Sequence, residues 1–182
     1  MVEQDSRIEA FMPRNEKYAE THTPKPPWSD FAKMVNPAGI MIIVSCLDPR
    51  QDPRTFFGLQ PGEAAIIANA GGRVDADVIR SIIGLDALAD AKGGVTSVIV
   101  AHHTDCGLTH VKDEEIKAIL KERAPAKNGE IDGLKFGEIT DLKQAVIDDM
   151  EVVKASPYLR KGLKVLGYLF DITSGKVQEI KA

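Results

Sequence analysis

Three shortages narrow what this chain can be: cysteine is scarce, no basic stripe is present, and no apolar run approaches membrane length. Of the 182 residues only Cys46 and Cys106 are cysteine, and they are too far apart in sequence to form a Cys-x-x-Cys pair. A disulfide-stapled scaffold and a dithiol redox motif are therefore both disfavoured. No apolar stretch nears the roughly 20 residues of a membrane span, and none is flanked like a secretory signal. Met1 to Arg14 is polar and contains acids, unlike a transit peptide. A cytoplasmic location is the default expectation. The 23 Lys and Arg are outnumbered by 27 Asp and Glu, for a net charge of −4. That balance argues against a nucleic-acid partner. Between Lys112 and Arg123 the lysines alternate with glutamates, which reads as a solvated helix face. Internal repeats and low-complexity segments are also missing.

What is present is ordinary in bulk: 43% hydrophobic and 27% charged residues, the balance of a globular protein. The length suits one domain, 1–182, with a real core. Residues 1–27 read as an N-terminal arm and linker. The arm has few apolar residues, among them Ile8, Phe11 and Tyr18, so it cannot build a core alone. Thr23-Pro24-Lys25-Pro26-Pro27 breaks any helix and acts as a stiff connector. Such an arm must dock on its own body or on a partner subunit.

The body, 28–182, carries continuous apolar runs at Ile40–Val44, Ala64–Ala68, Thr96–Ala101 and Lys164–Phe170. Runs of this kind suit strands covered on both faces, as in a parallel sheet. A short strand is expected at Val177–Ile180 after the turn at Ser174-Gly175. Tyr168 and Phe170 read as core. Between the runs lie helical patterns. Val78, Ile79, Ile82, Ile83, Leu85 and Leu88 recur with helical spacing, with Asp75 and Asp77 at the first turn and Gly93-Gly94 as the stop. Glu114–Arg123 is a mostly exposed helix, and Asp141–Ala155 a third, with Thr140 as N-cap and Pro157 beyond its end. Strands alternating with helices predict an α/β fold: a central, mostly parallel sheet flanked by helices, with an N-terminal helical arm.

Two of the predicted strands run straight into unusual motifs. One leads into Ser45-Cys46-Leu47-Asp48-Pro49-Arg50, the other into His102-His103-Thr104-Asp105-Cys106-Gly107. Ligands of open parallel sheets bind beyond the carboxyl ends of the strands, where strand order reverses. If these strands are neighbours, Cys46 meets His103 and Cys106. On count alone both cysteines would be small buried hydrophobes; with this histidine beside them they read as ligands. Two thiolates and one imidazole suit zinc and leave a fourth position open. Cys46, Asp48 and Arg50 alternate and so can share a face. Arg50 can hold the Asp48 carboxylate off the metal as a bidentate pair, or Asp48 can itself close the site as fourth ligand. His102 reads as a proton relay or as a histidine satisfied by backbone at a strand end. Asp105 and His110 read as rim or capping groups.

Cys-x-Asp-x-Arg followed by His-x-x-Cys-Gly resembles the signature of the β-class carbonic anhydrases. The resemblance is close over Ile40 to Gly107 and includes Pro61-Gly62-Glu63-Ala64 and Asn69-Ala70-Gly71-Gly72. The chain departs from many members at Pro49, Ala68 and His102, and no glutamine lies upstream of Cys46 to match that of plant-type members. The His-His-Thr-Asp-Cys-Gly form resembles a compact subgroup that also contains carbonyl sulfide hydrolases. The resemblance implies Cys46, His103 and Cys106 as zinc ligands, with Asp48 as an alternative fourth, and Asp48 and Arg50 as the catalytic dyad. It implies a lyase that hydrates CO2 to bicarbonate with hydroxide generated at Zn2+, or a hydrolase that converts carbonyl sulfide to CO2 and hydrogen sulfide. A zinc-binding protein without turnover is the third reading. It also implies a homo-oligomer built from dimers, either dimer or tetramer, with the arm embracing a partner. Both substrates are small and linear and want an apolar pocket. Gly71, Gly72, Phe56 and Leu108 are its candidate residues, with Phe57 and Ile67 as further wall candidates.

Overall fold

The apolar runs pair into one sheet in the computed structural model, which describes residues 6–30, 39–90 and 93–181. Strands β1 (Ile40–Cys46), β2 (Ala65–Asn69), β3 (Val95–His103), β4 (Lys164–Phe170) and β5 (Val177–Ile180) lie in the order β2-β1-β3-β4-β5. The first four are parallel, and β5 returns antiparallel on β4. The expected α/β architecture is therefore observed. After β1 the chain moves to one side for β2 and then crosses to the other side for β3. This reversal puts the carboxyl ends of β1 and β3 next to each other, where a parallel sheet opens a crevice. The register aligns Cys46 with Asn69, and Ser45 with Ala101.

The continuous runs are explained by burial on both faces. Along β1, every residue from Ile42 to Cys46 is buried. On one face Ile42, Val44, Val98 and Val100 pack under Val78 and Ile82 of helix Ala76–Leu88, and under Val146, Met150 and Val153 of helix Leu142–Ala155. On the other, Ile43, Ile99 and Ala101 meet Phe56, Phe57, Leu166 and Tyr168. Phe56 stacks on Phe170 with ring centroids 4.4 Å apart.

In chain order the helices of the body are α3 (Pro53–Phe56), α4 (Ala76–Leu88), α5 (Asp113–Arg123), α6 (Asn128–Asp132) and α7 (Leu142–Ala155), following α1 (Ser6–Glu9) and α2 (Phe11–Ala19) of the arm. Asp75 caps α4 by accepting the Val78 N–H at 2.8 Å. The cap of α7 is Asp141, which accepts from Lys143 N and Gln144 N, and not Thr140 as expected. An aspartate reaches both orphan N–H groups of the first turn and also brings charge to the positive end of the helix. Helix α4 stops at Leu88, ahead of the Gly93-Gly94 pair, and Gly94 N–H turns back to Ala89 O.

The chain divides into two compact units, Met1–Met34 and Val35–Ala182. Among the described residues no helix is long and apolar enough to cross a membrane.

Helix α7 can lie close on β4 because residue 167 has no side chain. A Cβ there would sit 2.4 Å from Met150 Sδ and 2.5 Å from Val146 Cγ1. Gly167→Ala should therefore force α7 away from the sheet and cost about 1–3 kcal/mol, the usual penalty of overpacking. Denaturant unfolding of the two proteins measures it, with the loss appearing as a lower midpoint.

Candidate metal centre

Strand β1 ends in Cys46 and β3 in His103, and a short turn brings Cys106 back beside them. Their donor atoms all lie within 4.8 Å of one another, and all three residues are buried. The two sulfurs are 3.9 Å apart. The convergence read from the motifs is present as a group that could hold a metal ion.

The pKa of the Cys46 thiol is lowered to about 4, first by its hydrogen bond with Cys106 and, against the opposition of burial, by His103 and the nearby backbone of Asp48 and Gly71. Cys106 is pushed up, because a second thiolate beside the first would be unscreened. One proton shared between two sulfurs is the arrangement a divalent cation replaces.

His103 completes the donor set. Its Nδ1 lies 2.9 Å from Thr104 O, and a carbonyl can only accept, so Nδ1 carries the proton and Nε2 the lone pair. That Nε2 is buried and has no hydrogen-bond partner among the described residues. Burial disfavours a charged His103, but the Cys46 sulfur facing it outweighs burial and raises its pKa. An orphaned imidazole nitrogen facing two sulfurs fits a thiophilic cation, and zinc takes this donor chemistry.

Asp48 stands beside the cluster, not inside it. Arg50 Nη2 donates to Asp48 Oδ2 at 2.7 Å and Nε to Oδ1 at 3.0 Å, so the guanidinium grips both carboxylate oxygens. This pair holds the Asp48 pKa down to about 2. Asp48 Oδ2 is 3.9 Å from His103 Nε2, too far for a hydrogen bond.

Sequence reasoning underrated Asp105. Arg50 Nη1 donates to its Oδ2 and Nη2 to its carbonyl oxygen, both at 2.7 Å. Asp105 does this from a left-handed backbone, φ 55°, which aspartate tolerates better than most residues. His110 Nε2 lies 2.7 Å from its other oxygen. Arg50 thus bridges the two motifs, and the signal for this was available in the two acids flanking the donors. Gln51 was missed altogether. It is buried, accepts from Ser45 Oγ at 2.9 Å and donates to Cys46 O.

The predicted pocket residues separate. Leu108 packs with Cys46, Cys106, Ile139, Ala145 and Leu142 at the donors. Gly71, at φ 75°, lies where a Cβ would be 2.7 Å from Leu108 Cδ1, and at Gly72 a Cβ would be 2.8 Å from Cys46 N. Both glycines therefore serve close approach, as their place in the motif suggested. Phe56 and Phe57 belong instead to the core cluster with Ile43, Ile99 and Ala101, and Ile67 packs against the cluster under α4 and α7. The reason is parity. Strand side chains alternate between faces, and these rings fill the sheet face opposite α7. His102 is buried, and neither ring nitrogen makes a hydrogen bond among the described residues, so the expected backbone partner is not there.

Residues 41–177 match the family model described as carbonic anhydrase. The chain is 29% identical over 144 residues to beta-carbonic anhydrase 1 of Mycobacterium tuberculosis, covering 79% of this chain and 83% of that protein. It is also 26% identical over 157 residues to a carbon disulfide hydrolase of Acidianus sp., covering 75% of each. Among solved structures, a carbonic anhydrase of Streptococcus mutans superposes over 100% of both chains with a TM-score of 0.77 and 29% identity.

Cys46→Ser should abolish metal retention, because a hydroxyl is a far poorer ligand than a thiolate for a thiophilic ion. Elemental analysis of protein purified without chelator reads the outcome, and stoichiometric metal in the variant would remove Cys46 from the ligand set.

Proposed function

The chain belongs to the β-carbonic anhydrase family, and on that premise we propose that it is a zinc enzyme, a carbonate dehydratase-type lyase hydrating CO2 to bicarbonate. The observation that carries this reading is the open donor set: Cys46, His103 and Cys106 converge while Arg50 holds Asp48 just outside them. Zinc bound by three protein ligands lowers the pKa of its water and so supplies hydroxide near neutral pH. Two thiolate ligands neutralise the metal charge, so that acidity is weaker than with three histidines.

The chain's own groups do the rest. Asp48, kept ionised by Arg50, can only accept a hydrogen bond, so a protonated nucleophile beside it is oriented with a lone pair turned to the substrate. Asp105 holds Arg50 from the second motif and so keeps Asp48 from swinging inward. Leu108, Ile139 and Leu142 offer apolar contact to a small, uncharged, linear molecule and exclude bulk water from the sulfurs. We further propose a homo-oligomer built from dimers, supported by Phe11, Met12 and Tyr18, which leave apolar surface exposed on the arm.

A second reading is favoured by the similarity to carbon disulfide hydrolases. Carbonyl sulfide has the same linear shape as CO2 and an electrophilic carbon. Hydrolysis by the same residues would release CO2 and hydrogen sulfide. Stopped-flow CO2 hydration beside hydrogen sulfide release from carbonyl sulfide, on metal-verified protein, decides between the two. Absence of both turnovers would leave only the non-catalytic zinc protein.

Asp48→Asn keeps the shape of the side chain and removes its charge. It should retain zinc and lose turnover by about 100-fold or more, within the range of a positioned proton acceptor. Normal rates in that variant would take Asp48 out of the mechanism.

A further inference from the structure

Away from the donors, one buried carboxylate has no part in the chemistry described so far. Asp149 of α7 is 2% exposed. Its Oδ2 accepts from Arg73 Nε at 2.9 Å and its Oδ1 from Val74 N–H at 3.1 Å. His102 Nε2 is 3.0 Å from Oδ2 but out of line for a hydrogen bond. A buried ion pair adds little net stability over apolar residues of the same volume, so the placement of this one calls for a reason.

The reason lies in what Arg73 touches. The 69–74 turn runs from the end of β2 along the Cys46 backbone: Leu47 N–H donates to Asn69 O at 2.9 Å, and a Cβ at Gly72 would be 2.8 Å from Cys46 N. Asn69 Nδ2 ties the turn to itself by donating to Arg73 O at 2.8 Å. On the far side, Arg73 Nη1 reaches Gly137 O and Glu138 O, both at 3.4 Å. The adjacent Ile139 N–H donates to Leu108 O at 3.0 Å. Leu108 in turn packs against the cluster that holds Cys46 and Cys106. The fit is tight: a Cβ at Gly137 would meet Arg73 Cγ at 2.9 Å, and one at Gly71 would meet it at 3.3 Å. One guanidinium thus links the turn beside Cys46 to the 137–139 segment, whose Ile139 N–H holds Leu108 against the two cysteines, and Asp149 fixes that guanidinium to a rigid helix.

We propose that Asp149 is a positioning residue for the metal centre, acting through Arg73 to hold both sulfurs at the spacing a cation needs. This rests on the metal reading of Cys46, His103 and Cys106. Groups that orient ligands from behind typically govern metal affinity by 10- to 100-fold.

A matched control exists at the other end of β3. Asp86 accepts from Arg160 Nε and from Val95 N–H, both at 2.7 Å, with no link to the donors. Its chemistry is that of Asp149, its place is not. The test compares Asp149→Asn, Arg73→Lys and Asp86→Asn with the unmodified protein. It uses metal affinity by competition with a chromophoric chelator, the visible spectrum after cobalt substitution, and thermal melting.

Asp149→Asn and Arg73→Lys should bind zinc on the order of 10-fold or more weaker and shift the cobalt–thiolate bands. Asp86→Asn should melt earlier with affinity and spectrum unchanged. Arg73→Lys keeps a cation against Asp149 while losing the fork that reaches Gly137 and Glu138, so it decides the matter if Asp149→Asn does not fold. Unchanged affinity and spectrum in the folded variants would overturn the proposal. A parent protein that takes up neither zinc nor cobalt would overturn the metal centre itself, a failure visible before any variant is made.

Discussion

Two sulfurs 3.9 Å apart in a buried site cannot both carry negative charge unless a cation lies against them. The rest of the molecule around the switch point of the sheet can be understood from that constraint. One thiol ionises readily and the other resists. An imidazole presents a bare nitrogen to them. None of these features lowers the energy of an apolar core. All of them favour a bound cation.

The scaffold meets the constraint by dividing labour. The sheet supplies rigidity, because β1 and β3 are buried on both faces and end side by side. The loops supply chemistry, and each is tied at more than one point. Gln51 anchors the first motif to Ser45 and Cys46. Thr104 ties the second to β4 and its hairpin through Phe170 O and Ile172 N. Arg50 joins the two motifs directly, through Asp48 and Asp105, and Arg73 ties the 69–74 turn to residues 137 and 138.

Family membership narrows the chemistry without choosing the substrate. Relatives named for carbon dioxide and for carbon disulfide chemistry both cover at least three quarters of the chain. On the function proposed here, selectivity would come from the apolar residues packed beside the two cysteines, Leu108, Ile139 and Leu142.

Much of this was legible in the sequence because it is local or periodic. Apolar runs of strand length, helical spacing from Val78 to Leu88, and two motifs of fixed spacing pointed to a parallel α/β sheet and to three donors. Helix caps were less secure: Thr140 and Asp141 are adjacent, and only backbone geometry selects the aspartate. Contacts between distant segments were beyond reach. Whether Asp48 closes the site or is held away depends on Arg50 finding Asp105 across the crevice. Phe56 is a pocket-wall candidate in the sequence, and only the fold shows its ring stacked on Phe170 at the end of β4. Asp149 and Arg73 are 76 residues apart and carry no pattern that pairs them. The sequence by itself therefore determined the fold class and the donor chemistry, since both follow from residue type and short-range spacing. Which charges neutralise one another was decided only in the tertiary structure, since Coulomb and hydrogen-bond partners are chosen by distance in space.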